Sequence, residues 1–101
     1  MGVLGQKQQE FTRMIARLID FATSMGYGLT FGDAWAQTGH REKSLHYSRL
    51  AVDFNLMFDG KWLKETEDHK FLGEYWESIG GTWGGRFGDG NHYSLEHWGM
   101  K

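Results

Sequence analysis

The sequence predicts a small α+β domain, an antiparallel sheet with helices packed against one side, and three patterns carry that prediction. Phe11, Met14, Ile15, Leu18, Ile19, Ala22 and Met25 recur at spacings of three and four, the stripe of an amphipathic helix. Residues 50–58 form an apolar run broken only by Asp53 and Asn55, and Asp59-Gly60, a pair suited to a tight hairpin turn, closes it. Phe71, Leu72, Tyr75, Trp76 and Ile79 then mark a second helical face ahead of a strand-like segment at 91–96.

In chain order, the first helix is expected over residues 6–25, because Arg13, Arg17 and Asp20 fall between the apolar positions and Gly26 can take the left-handed cap. Residues 29–35 predict a short strand, and the polar run 37–44 a loop. The central strand spans 50–58 and turns at Asp59-Gly60 into Lys61, Trp62 and Leu63. Thr66 is the expected cap of the second helix, with Glu67 and Asp68 in its first turn and Gly80-Gly81 as its stop. Six of the eleven residues from 80 to 90 are Gly, a run that either keeps a cleft open to a bulky substrate or is a flexible crossing into the last strand.

Length and composition bound the rest. The 101 residues suit one domain, 1–101, and 40% hydrophobic with 24% charged residues fit neither a disordered chain nor a membrane protein. There is no Cys, so disulfides, thiolate zinc sites and Cys nucleophiles are excluded, while a metal held by His and carboxylate stays open. A net charge of −2 disfavours nucleic acid and anionic lipid as partners. The first residues lack a signal-peptide pattern, and no apolar run reaches the ~20 residues of a membrane span, so synthesis in the cytosol without membrane insertion is expected.

Asp53 is the first chemical anomaly, since an unpaired carboxylate in an apolar strand costs several kcal/mol and needs a cation. An ion pair to Arg49 or Arg86, or an exposed strand face, would answer it. His46, seven positions earlier, offers another answer, a shared Zn2+. Asp89 and His92 form a second cluster inside ordinary turn dipeptides. Two His, one Asp and an open fourth position make a catalytic rather than a structural zinc site. His97, five residues after His92, falls on the opposite face if both lie on one strand. His40 and His69 are expected in solvent. Trp35, Tyr47, Trp62, Trp76, Trp83 and Trp98 are expected chiefly in the core, with Trp83 the best candidate for a substrate wall.

Ser44-Leu45-His46, then Arg49-Leu50-Ala51-Val52-Asp53-Phe54-Asn55-Leu56, Glu67-Asp68, Gly73-Glu74-Tyr75-Trp76, Trp83-Gly84-Gly85-Arg86-Phe87 and Asp89-Gly90-Asn91-His92-Tyr93 together resemble the D-alanyl-D-alanine carboxypeptidase family of zinc peptidases. The likeness runs over about residues 29–96 and is nearest to small phage-encoded members, which include L-alanyl-D-glutamate endopeptidase endolysins. The resemblance implies a hedgehog/DD-peptidase-like fold, zinc on His46, Asp53 and His92, and Asp89 as general base to a water that attacks the peptide carbonyl. It further implies an enzyme acting on peptidoglycan stem peptides; together with the missing signal-peptide pattern it suits a lysin made in the host cytoplasm and released to the wall, a monomer is expected, and the small size leaves no room for a separate wall anchor.

The family's Arg after the first strand is replaced here by Ala36, so Arg41, Arg49 and Arg86 are the candidates for polarising the substrate, and Ser44 and Glu96 for orienting the ligands. A D-Ala-D-Ala carboxypeptidase or dipeptidase shares the same ligand pattern. Two alternatives from other classes are a wall-binding domain with structural zinc and a His-Asn-His nuclease built on Asp89, Asn91, His92 and His97. The nuclease would want a basic surface and a following helix, which the net charge and the end of the chain at Lys101 disfavour.

Overall fold

In the computed structural model, which describes residues 2–34, 45, 46, 48–97 and 101, the first stripe becomes helix α1, Val3–Ser24. It begins three residues before the expected start and buries Phe11, Met14, Leu18 and Ala22 along one side. Gly26 follows in a left-handed conformation, with φ of 87°. Strand β1 is Gly28–Phe31, shorter than the expected 29–35, and residues 35–44, with Trp35, His40, Arg41 and Ser44, lie outside the described residues.

Strand β2, Ala51–Phe58, is the centre of the sheet. Val52, Phe54 and Leu56 are buried on its helix-facing side, while Asp53, Asn55 and Met57 are half-buried on the other, the period-two pattern of a strand with one dry face. Asp59 and Gly60 take φ of 52° and 76°, giving the tight turn their identities predict, and β3, Lys61–Leu63, pairs back on β2. A 3-10 turn, Thr66–His69, leads into α2, Lys70–Ser78, then β4, Thr82–Trp83, a second 3-10 turn, Gly84–Phe87, and β5, His92–Ser94.

Every pairing is antiparallel, in the order β1-β2-β5-β4, with β3 also on β2. Because β1 occupies one edge of β2 at Phe54–Met57, both β5 and β3 must use the other edge, at Ala51–Asp53 and Leu56–Phe58. A gap therefore opens beside Asn55, just past the Phe54 N–H, which donates to the Asn91 carbonyl (2.9 Å). The core closes over the opposite face, where Trp76 of α2 meets Phe11 of α1 and Tyr93 of β5 edge to face. Each of these large side chains contributes on the order of 1.5–3 kcal/mol by leaving water. The α+β class and the antiparallel sheet are thus as expected. No helix among the described residues is long and apolar enough to cross a membrane.

Several local expectations are corrected. Thr66 does not cap the second helix: Glu65 precedes the turn, its N–H donating to Asp68 Oδ2 (3.1 Å). The Gly-rich stretch is built rather than flexible, because β4 and the second 3-10 turn are packed around Trp83. That residue is core and not a wall, with its Nε1–H donating to the Gly90 carbonyl (2.8 Å).

His69 is 2% exposed instead of solvated, its Nδ1 lying 2.7 Å from the Tyr93 hydroxyl. Burial holds its pKa below the ordinary 6.5, the nearby Asp68 opposing only in part. Unfolded His69 therefore binds a proton more readily than folded His69, and stability falls as pH drops through that ordinary value. Thermal melts between about pH 5 and 8 are expected to show His69→Gln losing less stability on acidification than the wild type. Equal losses would remove His69 from the acid response.

Candidate metal centre

Register places the site. Asp53 and His92 are directly opposed across the β2–β5 ladder, so their side chains project from the same face of the sheet, away from the helix-covered core. His46 reaches that point from a turn before β2: the Ser48 and Leu50 N–H groups both donate to the Leu45 carbonyl (3.1 and 3.0 Å), and the Arg49 N–H to that of His46 (3.3 Å). Arg49 carries the turn at φ of 57°. His46, Asp53 and His92 thus come together as the sequence expects, each with a ligand atom within 4.8 Å of those of the other two.

Asp53 Oδ1 lies 3.3 Å from His46 Nε2 and 3.4 Å from His92 Nδ1. Burial alone would raise the Asp53 pKa, but the His46 and His92 imidazoles beside it outweigh that and hold the carboxyl at about 2. It is ionised at any ordinary pH. His92 Nε2 lies 3.1 Å from the Lys101 carbonyl, which can only accept, so Nε2 carries the proton. Asp53 Oδ1 is buried and accepts no hydrogen bond among the described residues, so the carboxylate and the two imidazoles converge on a point that suits a cation. Around a tetrahedral ion with ligand bonds of about 2.0–2.2 Å, neighbouring ligand atoms stand about 3.3–3.6 Å apart, which the two separations match. Two imidazoles and one carboxylate are ordinary zinc donors, so the residues fit the metal.

Beside this cluster a cleft of about 270 Å³ fills the gap on the β2 edge, with Phe54, Asn55, Trp62, Lys64, His69 and Asp89 in its lining. Asn55 shares the Asp53 face, two residues along, so the cleft adjoins the cluster. Asp89 is exposed, and its backbone is held at both ends: its N–H donates to the Gly84 carbonyl (2.9 Å) and its carbonyl accepts from the His92 N–H (3.2 Å). Gly90, the next residue, donates its N–H to Thr66 Oγ1 (3.2 Å) and lies so close that an added Cβ would come within 2.5 Å of Thr66 Cα. Trp62, 55% exposed and stacked under Lys64 Nζ (4.4 Å), takes the wall position expected of Trp83.

Other expectations divide. Arg86 does not serve Asp53 and is not aimed at the cluster; it forms a two-pronged ion pair with Glu77 (2.7 and 2.9 Å), which raises its pKa and lowers that of Glu77. Glu96 is exposed, and the Lys101 carbonyl takes the orienting role at His92 instead. His97 is buried, but the argument from opposite strand faces does not apply, because β5 ends at Ser94. Tyr47 and Trp98 lie outside the described residues. The site features that sequence reasoning missed are Thr66 and His69, whose partners stand 24 residues away in the chain.

A sheet face carrying a His-Asp-His cluster beside an open, polar-lined cleft has the donor number and access of a metal-dependent hydrolase. Comparison with known proteins sharpens the class. Residues 37–95 match the family described as D-alanyl-D-alanine carboxypeptidase, and the chain belongs to this family of zinc peptidases. A search among curated proteins returned no match.

Proposed function

We propose that this chain is a zinc-dependent peptidase of peptidoglycan stem peptides that cleaves the L-alanyl-D-glutamate bond, acting as a monomeric phage-type lysin made in the host cytoplasm and released to the wall. The observation that carries the reading is the convergence of His46, Asp53 and His92 next to a cleft that also holds Asp89. His46 Nε2, Asp53 Oδ1 and His92 Nδ1 are the holding atoms. Zinc bound there supplies Lewis acidity, polarising the peptide carbonyl and bringing the pKa of water toward ~7.

The remaining steps belong to the chain. Asp89 accepts the proton of the attacking water and returns it to the leaving amine. Its two backbone hydrogen bonds hold the carboxylate against the cleft, and the contact of Gly90 with Thr66 fixes the loop from the other side. Gly90→Ala is expected to slow turnover by about tenfold or more with zinc content unchanged, since the clash would shift Asp89. Wild-type kinetics in that variant would show the loop is not held this way. Trp62 gives the peptide an apolar contact.

The family description favours a second reading, D-Ala-D-Ala carboxypeptidase, in which the same residues act on a different bond. Digestion of purified peptidoglycan followed by mass spectrometry separates the two. New N-terminal D-glutamyl ends support the endopeptidase, released D-alanine supports the carboxypeptidase, and an unchanged wall with a zinc-loaded chain sinks both.

A further inference from the structure

The cleft contains a buried imidazole that the mechanism does not use. His69 closes the first 3-10 turn, is 2% exposed, and contributes to the cleft lining together with Lys64 and Asp89. Its Nδ1 is 2.7 Å from the Tyr93 hydroxyl, on the core side of the sheet. Among the described residues that hydroxyl has no other partner, so its proton goes to Nδ1. Nδ1 is then the acceptor, and the ring proton must sit on Nε2, on the opposite edge of the ring. Among the described residues, Nε2 makes no hydrogen bond. A neutral N–H donor is thus fixed in one tautomer and left for a ligand. Tyr93 itself is 0% exposed, so its hydroxyl has no solvent to turn to and the Nδ1 contact fixes the tautomer.

The charges around the cleft say what that donor meets. Among the described residues, Lys64 is the cation in its lining and Asp89 the carboxylate. Lys64 lies over the Trp62 ring and, among the described residues, pairs with no carboxylate. An anionic group on a bound peptide is repelled by Asp89 and drawn toward Lys64 and His69. Thr66, three residues before His69 and hydrogen-bonded to Gly90, ties the donor's wall to the Asp89 loop, so the two groups keep a fixed spacing.

We infer that His69 Nε2–H is a specificity-determining donor that, with Lys64, binds a carboxylate of the peptide substrate while Asp89 faces the scissile bond. This inference rests on the peptidase reading above. The matching probe is a synthetic L-alanyl-D-glutamyl stem peptide with its D-glutamyl carboxylate free, compared with the same peptide amidated at that group.

In the zinc-loaded chain, His69→Leu is expected to raise KM for the acid peptide about tenfold or more, the scale of a lost hydrogen bond to a charged group, with kcat within about twofold. Its preference for acid over amide should vanish, and His69→Gln, which restores an N–H donor, should recover much of it. Tyr93→Phe should lose part of the preference by freeing the tautomer. Imidazole nitrogen NMR of the wild type should show His69 protonated at Nε2, with a shift on adding the acid peptide.

The same titration by calorimetry on Asp89→Asn keeps binding separate from cleavage. His69-dependent binding without wild-type cleavage defeats the peptidase reading and leaves the donor assignment standing. Cleavage with KM and acid preference unaltered in both His69→Leu and Tyr93→Phe overturns the donor role and leaves the peptidase reading. Absence of both binding and cleavage overturns both.

Discussion

Asp89→Asn is expected to keep the fold and one zinc per chain while turnover falls by about 10²–10⁴-fold, the usual contribution of a positioned general base. The substitution is nearly isosteric and leaves both backbone hydrogen bonds of residue 89 in place, so what is removed is the carboxylate's basicity and its charge. Asp89 is exposed on the cleft and makes no ion pair among the described residues, so its loss costs little stability. Elemental analysis, a thermal melt and a peptide cleavage assay on one preparation test this together. Wild-type turnover with Asn in place would remove Asp89 from the chemistry; a loss of zinc alongside activity would instead assign it to metal binding.

The second large effect concerns the metal. His46→Ala and His92→Ala each remove one of three converging donors, and zinc content is expected to fall from one per chain to near zero. Chelation of the wild type should reproduce the loss of activity and also lower the melting temperature. A ligand held at a hundred times its dissociation constant stabilises by about 2.7 kcal/mol, worth about 10 °C or more in a domain of this size. Without the metal, the buried Asp53 Oδ1 is left without a cation or hydrogen bond among the described residues, which adds to the cost. An unchanged melting temperature and unchanged metal content in both variants would show that the cluster holds no zinc.

How far the sequence carried these conclusions varies by residue, for physical reasons. Asp53 was conspicuous because a carboxylate in an apolar strand has few stable explanations, and α1 because seven apolar positions share one helical period. The hairpin turn was legible from Asp59-Gly60 alone. His69 was not: its neighbours Glu67, Asp68 and Lys70 give it the look of a solvated helix start, and its burial comes from Tyr93, far along the chain. Trp83 misled for a related reason. Glycines on either side suggested an open cleft, yet Gly73 and Gly85 are small so that the indole can pack against them, a contact between segments that local pattern does not encode. Strand β4 has two residues and exists only because β5 is there to pair with it.

The direct opposition of Asp53 and His92 makes metal affinity a measure of strand alignment. Shifting β5 by one residue along β2 would turn His92 toward the helix-covered face and Tyr93 out of it, separating the donors and opening the core in a single step. A misaligned chain therefore cannot hold the ion, and an ion bound during folding favours the aligned sheet over its neighbours in register. Substitutions in β2 or β5 that touch neither ligand nor substrate should then be read first in zinc content, before any change appears in the overall fold.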